Sequence, residues 1–129
     1  MTNTNDSFVG KWRCQYTYPS LAHNGHDSGE FELQAYKRGS QLLFESVPND
    51  EGSSLLVRMS VDGRVASGNW EEHTSPTGSY NGTMFTGTFQ LQVDAANQRM
   101  AGKWAGVQHD KDLKQASVHT GTVSLDKID

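Results

Sequence analysis

The segment Leu55-Leu56-Val57-Arg58-Met59-Ser60-Val61-Asp62-Gly63-Arg64-Val65 predicts a β-hairpin. In its first part every second residue is apolar, and these residues are Leu55, Val57, Met59 and Val61. A period of two is typical of a strand with one buried face. The Asp-Gly pair that follows is the strongest short-range hairpin signal when it separates two such runs. We therefore expect a strand at Leu55–Val61 and an antiparallel partner from Arg64 to about His73.

The same alternation continues on both sides of this hairpin. In Val9–Tyr18, one face carries four residues of apolar or aromatic character, which are Trp12, Cys14, Tyr16 and Tyr18. A further predicted strand contains Phe31, Leu33 and Ala35 and ends at the turn 37–40. The remaining predicted strands are Gln41–Val47, Gly82–Val93, Arg99–Val107 and Val118–Asp126. The polar stretches Pro19–Ser28 and Gln108–Ser117 are predicted loops. No segment has helical periodicity over ten residues.

Eight strands with mostly short connections predict a meander in which neighbours in sequence pair with each other. An open sheet of eight strands has two free edges, and closing it into a barrel removes both. The 13 glycines and only 3 prolines suit tight turns and closely spaced strands. We predict an all-β fold, a single antiparallel eight-stranded up-and-down β-barrel with little or no helix. Residues 1–7 are expected to form a flexible tail and residues 8–129 the single barrel domain.

Composition excludes several classes of partner. The net charge is −4 and no basic run is longer than Lys37-Arg38, so no nucleic acid is expected to bind. No apolar run approaches the roughly 20 residues that span a bilayer, so no membrane partner is expected. Met1–Ser7 is polar and lacks the core of a signal peptide. The single cysteine, Cys14, cannot form an internal disulfide, and we expect a cytoplasmic protein.

The sequence contains no complete catalytic motif, and we expect a binding protein rather than an enzyme. Glu72 and His73 are adjacent on a predicted strand, so their side chains face opposite sides and do not converge on one substrate. Cys14 lies on an apolar face with no base placed beside it. The histidines of His23–Asp27 lie in a polar loop without a further ligand cluster. We predict no catalytic residue, no metal and no cofactor.

The most distinctive motif is a repeated Gly-x-Trp, at Gly10–Trp12, Gly68–Trp70 and Gly102–Trp104. In each copy the glycine and the tryptophan share a strand face, so the ring can fill the space beside the glycine. The three tryptophans either plug the barrel or form part of the wall of a ligand pocket. The sequence leaves both interpretations open.

A candidate pocket is predicted around Glu72, which shares a strand face with Trp70. A carboxylate at a barrel mouth can bind a cationic or hydroxylated ligand. It can equally lie exposed on the rim or pair with Arg58. The candidate ligand-binding residues are Trp12, Tyr16, Tyr18, Arg58, Trp70, Glu72, Tyr80 and Trp104.

Two family resemblances follow from these motifs. Gly10-Lys11-Trp12 at the start of a β-meander resembles the calycin barrels, the lipocalin and avidin group, which bind small molecules inside. Residues 8–125 also resemble an uncharacterised bacterial barrel domain that is often found behind helix-turn-helix modules, with Tyr16–Ser20, Gly68–Tyr80 and Met100–Trp104 as the matching motifs. The resemblance implies a sensor or an interaction module and supplies no ligand. The sequence lacks the helix-turn-helix portion.

These observations predict a non-enzymatic barrel that binds a small molecule as a sensor or carrier. The alternative is a protein-interaction or oligomerisation domain with a solid core. A homodimer is compatible with either function.

Overall fold

The computed structural model describes residues 4–20, 25–48, 52–77, 82–109 and 118–128. A short 3-10 helix, Thr4–Phe8, precedes eight strands. The strands are β1 Gly10–Ser20, β2 Gly25–Arg38, β3 Gln41–Ser46, β4 Ser54–Asp62, β5 Val65–His73, β6 Met84–Val93, β7 Arg99–Gln108 and β8 His119–Lys127.

Each strand pairs antiparallel with the next one in sequence, and the sheet closes on itself. The closure is made by β1 and β8, which pair from Trp12 opposite Lys127 to Tyr16 opposite Val123. The prediction of an all-β, up-and-down, closed eight-stranded barrel is confirmed. Closure pairs β1 with β8 along strands that would be free edges in an open meander.

The hairpin between β4 and β5 forms one residue later than the sequence indicates. Asp62 ends β4 opposite Val65, and the two loop residues are Gly63 and Arg64. Gly63 has φ +61°, whereas Arg64 does not have a positive φ. A positive φ at the first loop position alone is the type II′ pattern, which places glycine first. The glycine therefore occupies the first loop position, and Arg64 completes the turn instead of starting the strand.

The first hairpin is longer than its polar sequence predicts. Residues 19–20 and 25–28, expected in a loop, are strand residues, with Tyr18 opposite Asp27 and Pro19 opposite His26. The register set by buried pairs such as Cys14 and Phe31 continues without a break to Ser20 opposite Gly25, beyond the buried part of the hairpin. Backbone hydrogen bonds do not require apolar side chains. The alternation pattern detects burial, so it misses this extension.

One end of the barrel is filled by apolar side chains and closed by the 3-10 helix. Residues 4–7, which the sequence assigns to a tail, belong to this helix. Ser7 accepts a hydrogen bond through its carbonyl from Lys127 Nζ at 2.8 Å and through its hydroxyl from Asn97 Nδ2 at 2.9 Å. The side chains buried at this closed end include Phe8, Trp12, Leu33, Ala35, Leu42, Phe44, Val93 and Met100.

Candidate functional site

The other half of the barrel contains a cavity of about 480 Å³. It extends toward the end where β1, β3, β5 and β7 finish. At about 30 Å³ for one water in the liquid, this volume corresponds to roughly 16 non-hydrogen atoms. Its floor and walls are mainly apolar, and these residues include Phe31, Leu55, Val57, Met59, Phe85, Phe89, Leu91, Val123 and Leu125. Ligand pockets in proteins commonly have this size and this apolar character.

The alternation of the strands brings five of the predicted site residues to the cavity wall. Tyr16 and Tyr18 come from β1, Trp70 and Glu72 from β5, and Trp104 from β7. Residues two apart on a strand share a face, so each of these pairs enters the interior together. The predicted grouping of Trp70 with Glu72 on the inner face is therefore present in the structure.

Trp12 and Arg58 do not line this cavity, and both expectations are corrected. Trp12 is fully buried in the closed end, on the far side of the cavity floor. Arg58 lies between two inward residues of β4, so its side chain faces outward and forms an ion pair with Glu71 at 3.6 Å. Arg58 therefore cannot be the partner of Glu72. Tyr80 lies outside the described residues.

Trp70 and Trp104 meet inside the barrel in an edge-to-face contact. Their ring centroids are 5.5 Å apart and the rings are inclined at 87°. The indole N–H of Trp70 donates to the Thr88 carbonyl at 3.2 Å, and that of Trp104 donates to the Thr17 carbonyl at 2.9 Å. Because backbone carbonyls already accept both N–H groups, the two tryptophans present aromatic carbon surface to the cavity.

Two glycines leave the room that the large rings of the wall require. Gly29 lies opposite Tyr16, and a Cβ there would be 2.4 Å from Tyr16 Cζ. Gly106 lies under Trp70, and a Cβ there would be 2.3 Å from Trp70 Cζ2. Neither distance is possible for a real side chain, so larger residues at these positions would push the rings into the cavity. Sequence reasoning missed both glycines because they are recognisable only once the strand register is known.

The polar centre of the cavity is the contact between Tyr16 and Glu72. The Tyr16 hydroxyl donates to Glu72 Oε2 at 3.4 Å. Burial raises the pKa of Glu72 from 4.5 to about 7, and the hydrogen bond from Tyr16 opposes this rise. Burial and the neighbouring carboxylate raise the pKa of Tyr16 as well. Near neutral pH, Glu72 can therefore accept hydrogen bonds when ionised or donate one when protonated.

The tyrosine is held by other rings of the first hairpin. Tyr16 stacks on Phe31 with ring centroids 6.1 Å apart and contacts Tyr18 at 5.9 Å. Such aromatic pairs have preferred geometries and stabilise the structure beyond the contribution of the buried area, so they hold the ring in one orientation. The Tyr16 hydroxyl is consequently aimed at Glu72 by packing on its own hairpin.

Cys14 lies at the cavity floor and is predicted to be unreactive in the folded protein. Its side chain is buried, and burial together with the nearby Glu72 and Glu30 raises the pKa of the thiol from 9.0 to about 12. The thiolate is the nucleophile, and its population at pH 8 falls about a thousandfold for such a pKa. Alkylation by iodoacetamide, followed by mass spectrometry, should be at least a hundredfold slower than in denaturing guanidinium chloride. Equal rates in the two conditions would contradict this prediction.

The sequence predicts five of the lining residues, Tyr16, Tyr18, Trp70, Glu72 and Trp104, but not the rest of the wall. Leu55, Val57 and Met59 were assigned to an inner face, yet the alternation pattern is the same for a filled core and for a cavity wall. His119 was also missed, because it begins β8 at the edge of a polar stretch. Among the described residues no group of three or more histidine, cysteine or acidic side chains is placed to hold a metal ion.

Comparison with known proteins adds little to this geometry. No protein-family model matches the sequence, and no curated protein matches it significantly. Among solved structures, the chain is similar to the ywiB protein from Bacillus subtilis, with 9% identity, a TM-score of 0.43, and coverage of 92% of this chain and 91% of that chain. A likeness this distant carries no argument about what the cavity binds. Within the described ranges, no helix has the length and apolar character needed to cross a bilayer.

Proposed function

We propose that this protein is a calycin-like barrel that binds a small, mainly apolar molecule in its cavity, as a sensor or carrier in the cytoplasm. The observation that carries the proposal is the cavity of about 480 Å³, which has mainly apolar walls and contains the hydrogen-bonded pair Tyr16 and Glu72. A site of this kind fixes the orientation of a ligand through few polar groups and gains affinity from apolar burial.

The closed end supports the calycin-like part of the proposal. Gly10-Lys11-Trp12 opens β1, and Trp12 packs across the barrel base against the preceding 3-10 helix. A tryptophan of the first strand that closes the base is what the resemblance to calycins implies. The chain thus combines a solid base with a hollow upper half.

The alternative function, an assembly domain with a solid barrel, is less well supported by this interior. A solid barrel would fill the space between Trp70, Val57 and Val123 with side chains, and this space is the cavity. Association into a homodimer stays a prediction, which light scattering of the purified protein would test.

Binding of an uncharged apolar probe tests the proposed function. We expect N-phenyl-1-naphthylamine, which has 17 non-hydrogen atoms, to bind with saturable fluorescence enhancement at one site per chain. Val123→Phe should weaken binding about tenfold, because Val123 lines the cavity opposite Tyr16 and a larger ring occupies ligand volume. Ser124→Phe is the matched control, since the next residue of β8 faces the outer surface and should leave the affinity unchanged.

Two outcomes would overturn the proposed function. One is a probe signal that does not saturate with the wild-type protein. The other is equal affinity of the wild type and Val123→Phe, with both shown to be folded by circular dichroism, which would place the probe outside the barrel.

A further inference from the structure

Among the described side chains that line the cavity, the carboxylates outnumber the basic groups. Glu72 projects from the inner face of β5, and no lysine or arginine is among the cavity-lining residues that the structure describes. Glu30, at the margin of the cavity, is an exposed acid paired with Arg13 on the outer surface at 3.0 Å. A ligand carboxylate or phosphate would therefore meet an acid in the cavity, and His119 is the one basic side chain among the described lining residues. Burial of an unpaired anion there is strongly disfavoured.

Glu72 also has unused capacity to accept hydrogen bonds. A carboxylate has about four acceptor positions. Within the described chain, the only donor to Glu72 is the Tyr16 hydroxyl, at the long distance of 3.4 Å. A donor supplied from the cavity could occupy the other positions, and an ionised donor would also compensate the partly buried negative charge.

Aromatic rings surround the approach to this carboxylate. Trp70 precedes Glu72 by two residues on the same face of β5. On β6, Phe85 lies directly opposite Glu72 in the strand register. Tyr16 and Tyr18 approach from β1, and Trp104 contacts Trp70 from β7. Aromatic faces attract organic cations, and the attraction increases when water is excluded. An acid enclosed by aromatic rings is complementary to an alkylammonium group.

We infer that the natural ligand is an organic amine, an ammonium group carried on an apolar body of roughly 10–16 non-hydrogen atoms, with its nitrogen bound to Glu72 beside Tyr16. This inference rests on the proposed function, because it assigns a ligand class to the same cavity. The apolar body occupies the space above Met59, Leu91 and Leu125. The ammonium donates to the carboxylate, and the rings of Trp70 and Tyr16 contact its carbon atoms.

Three ligands of one shape test the inference by displacement of N-phenyl-1-naphthylamine at pH 8: 4-phenylbutylamine, 4-phenylbutanol and 4-phenylbutanoate. We expect the amine to bind at least tenfold more tightly than the alcohol and at least a hundredfold more tightly than the carboxylate. Glu72→Gln should abolish the preference for the amine over the alcohol, with each competitor's affinity calculated from the affinity of the variant for the probe. Glu71→Gln is the matched control, because this neighbouring acid faces outward, toward Arg58, and its loss should leave the preference unchanged.

The pH profile gives a second readout. Besides Glu72, the titratable side chains that line the cavity are Cys14, Tyr16, Tyr18, Glu30 and His119. Cys14 and Tyr16 stay neutral between pH 6 and 8, because burial raises the pKa of both. The profile is measured in a His119→Gln background, so that this second ionisable group of the cavity wall does not contribute to it. The amine affinity should fall about tenfold from pH 8 to pH 6 as Glu72 is protonated, whereas the alcohol affinity should stay constant.

The outcomes separate the inference from the proposed function. If the probe itself does not bind, the proposed function fails. If the probe binds but the alcohol or the carboxylate displaces it as well as the amine does, the inference alone is overturned. An amine preference that survives in a folded Glu72→Gln variant would also overturn it.

Discussion

Trp12→Ala is expected to lower the free energy of unfolding by about 5 kcal/mol, the largest effect of any single substitution discussed for this barrel. Trp12 is fully buried, stacks on Phe8 at 6.2 Å and meets Phe44 edge-to-face at 5.8 Å. Truncation of a buried tryptophan costs about 3–5 kcal/mol. It also leaves the Phe8 carbonyl, which accepts the indole N–H at 2.8 Å, without its buried partner, at about 1–3 kcal/mol. Small domains have a total stability of about 5–15 kcal/mol, so much of the protein should be unfolded.

Denaturant unfolding followed by circular dichroism measures this loss, and Trp70→Phe is its matched control. Trp70 is only partly buried and its wall position keeps a ring in the variant, so we expect a cost near 1 kcal/mol. Trp70→Phe should instead weaken binding of N-phenyl-1-naphthylamine, because Trp70 lines the cavity. Equal and severe destabilisation by both substitutions would show that Trp70 belongs to the core, and its assignment to the cavity wall would then be withdrawn.

Glu72→Gln should stabilise the protein by about 3 kcal/mol above pH 7 and should have little effect below pH 4.5. The folded state holds the proton of Glu72 up to about pH 7, whereas the unfolded chain releases it near pH 4.5. Between these values the folded state binds more protons, so stability falls as the pH rises. The interval from 4.5 to about 7 corresponds to about 3 kcal/mol, and glutamine keeps an acceptor for Tyr16 without this cost.

Thermal and denaturant unfolding of both proteins from about pH 4 to pH 8.5 tests the prediction. The free energy of unfolding of the wild type should fall relative to that of Glu72→Gln between pH 4.5 and about pH 7. Above this interval, the difference between the two proteins should stay constant. Glu71→Gln is the control, since its side chain pairs with Arg58 on the outer surface and its removal should change stability by less than about 1 kcal/mol. A constant difference between wild type and Glu72→Gln at every pH would contradict the raised pKa.

The expected cost of the ionised Glu72 bears on the role of this interior. A buried group that lowers stability is typical of a binding site. The structure thus links the predicted stability profile to the proposed amine ligand, because a bound ammonium would relieve the cost of the ionised carboxylate.

The barrel itself was predictable because its information is local. The alternation in Leu55–Val61 and in Val9–Tyr18 identifies strands and inner faces within each segment, and Asp62-Gly63 indicates the reversal. Parity alone also places Arg58 outside, on the face opposite Val57 and Met59. The prediction that Arg58 is a cavity residue considers the opposite charges of Arg58 and Glu72 and neglects this parity.

The remaining features depend on contacts between distant segments. Tyr16 meets Glu72 across 56 positions of sequence, and that distance follows from barrel closure and strand stagger. The space for Tyr16 over Gly29 requires the register of the first hairpin. The 3-10 helix at Thr4–Phe8 has only five residues, too few for any periodicity to indicate.

The pairing of β1 with β8 has a practical consequence for handling this protein. The first strand begins and the last strand ends side by side at the closed end, where the Ile128 amide donates to the Lys11 carbonyl at 2.8 Å. Adjacent ends of this kind suit circular permutation, with a short linker across them and new ends cut elsewhere. They also mean that a purification tag, a fused reporter or a surface tether joined directly at Thr4 or at Ile128 is anchored on the side away from the cavity, leaving the route to Glu72 clear.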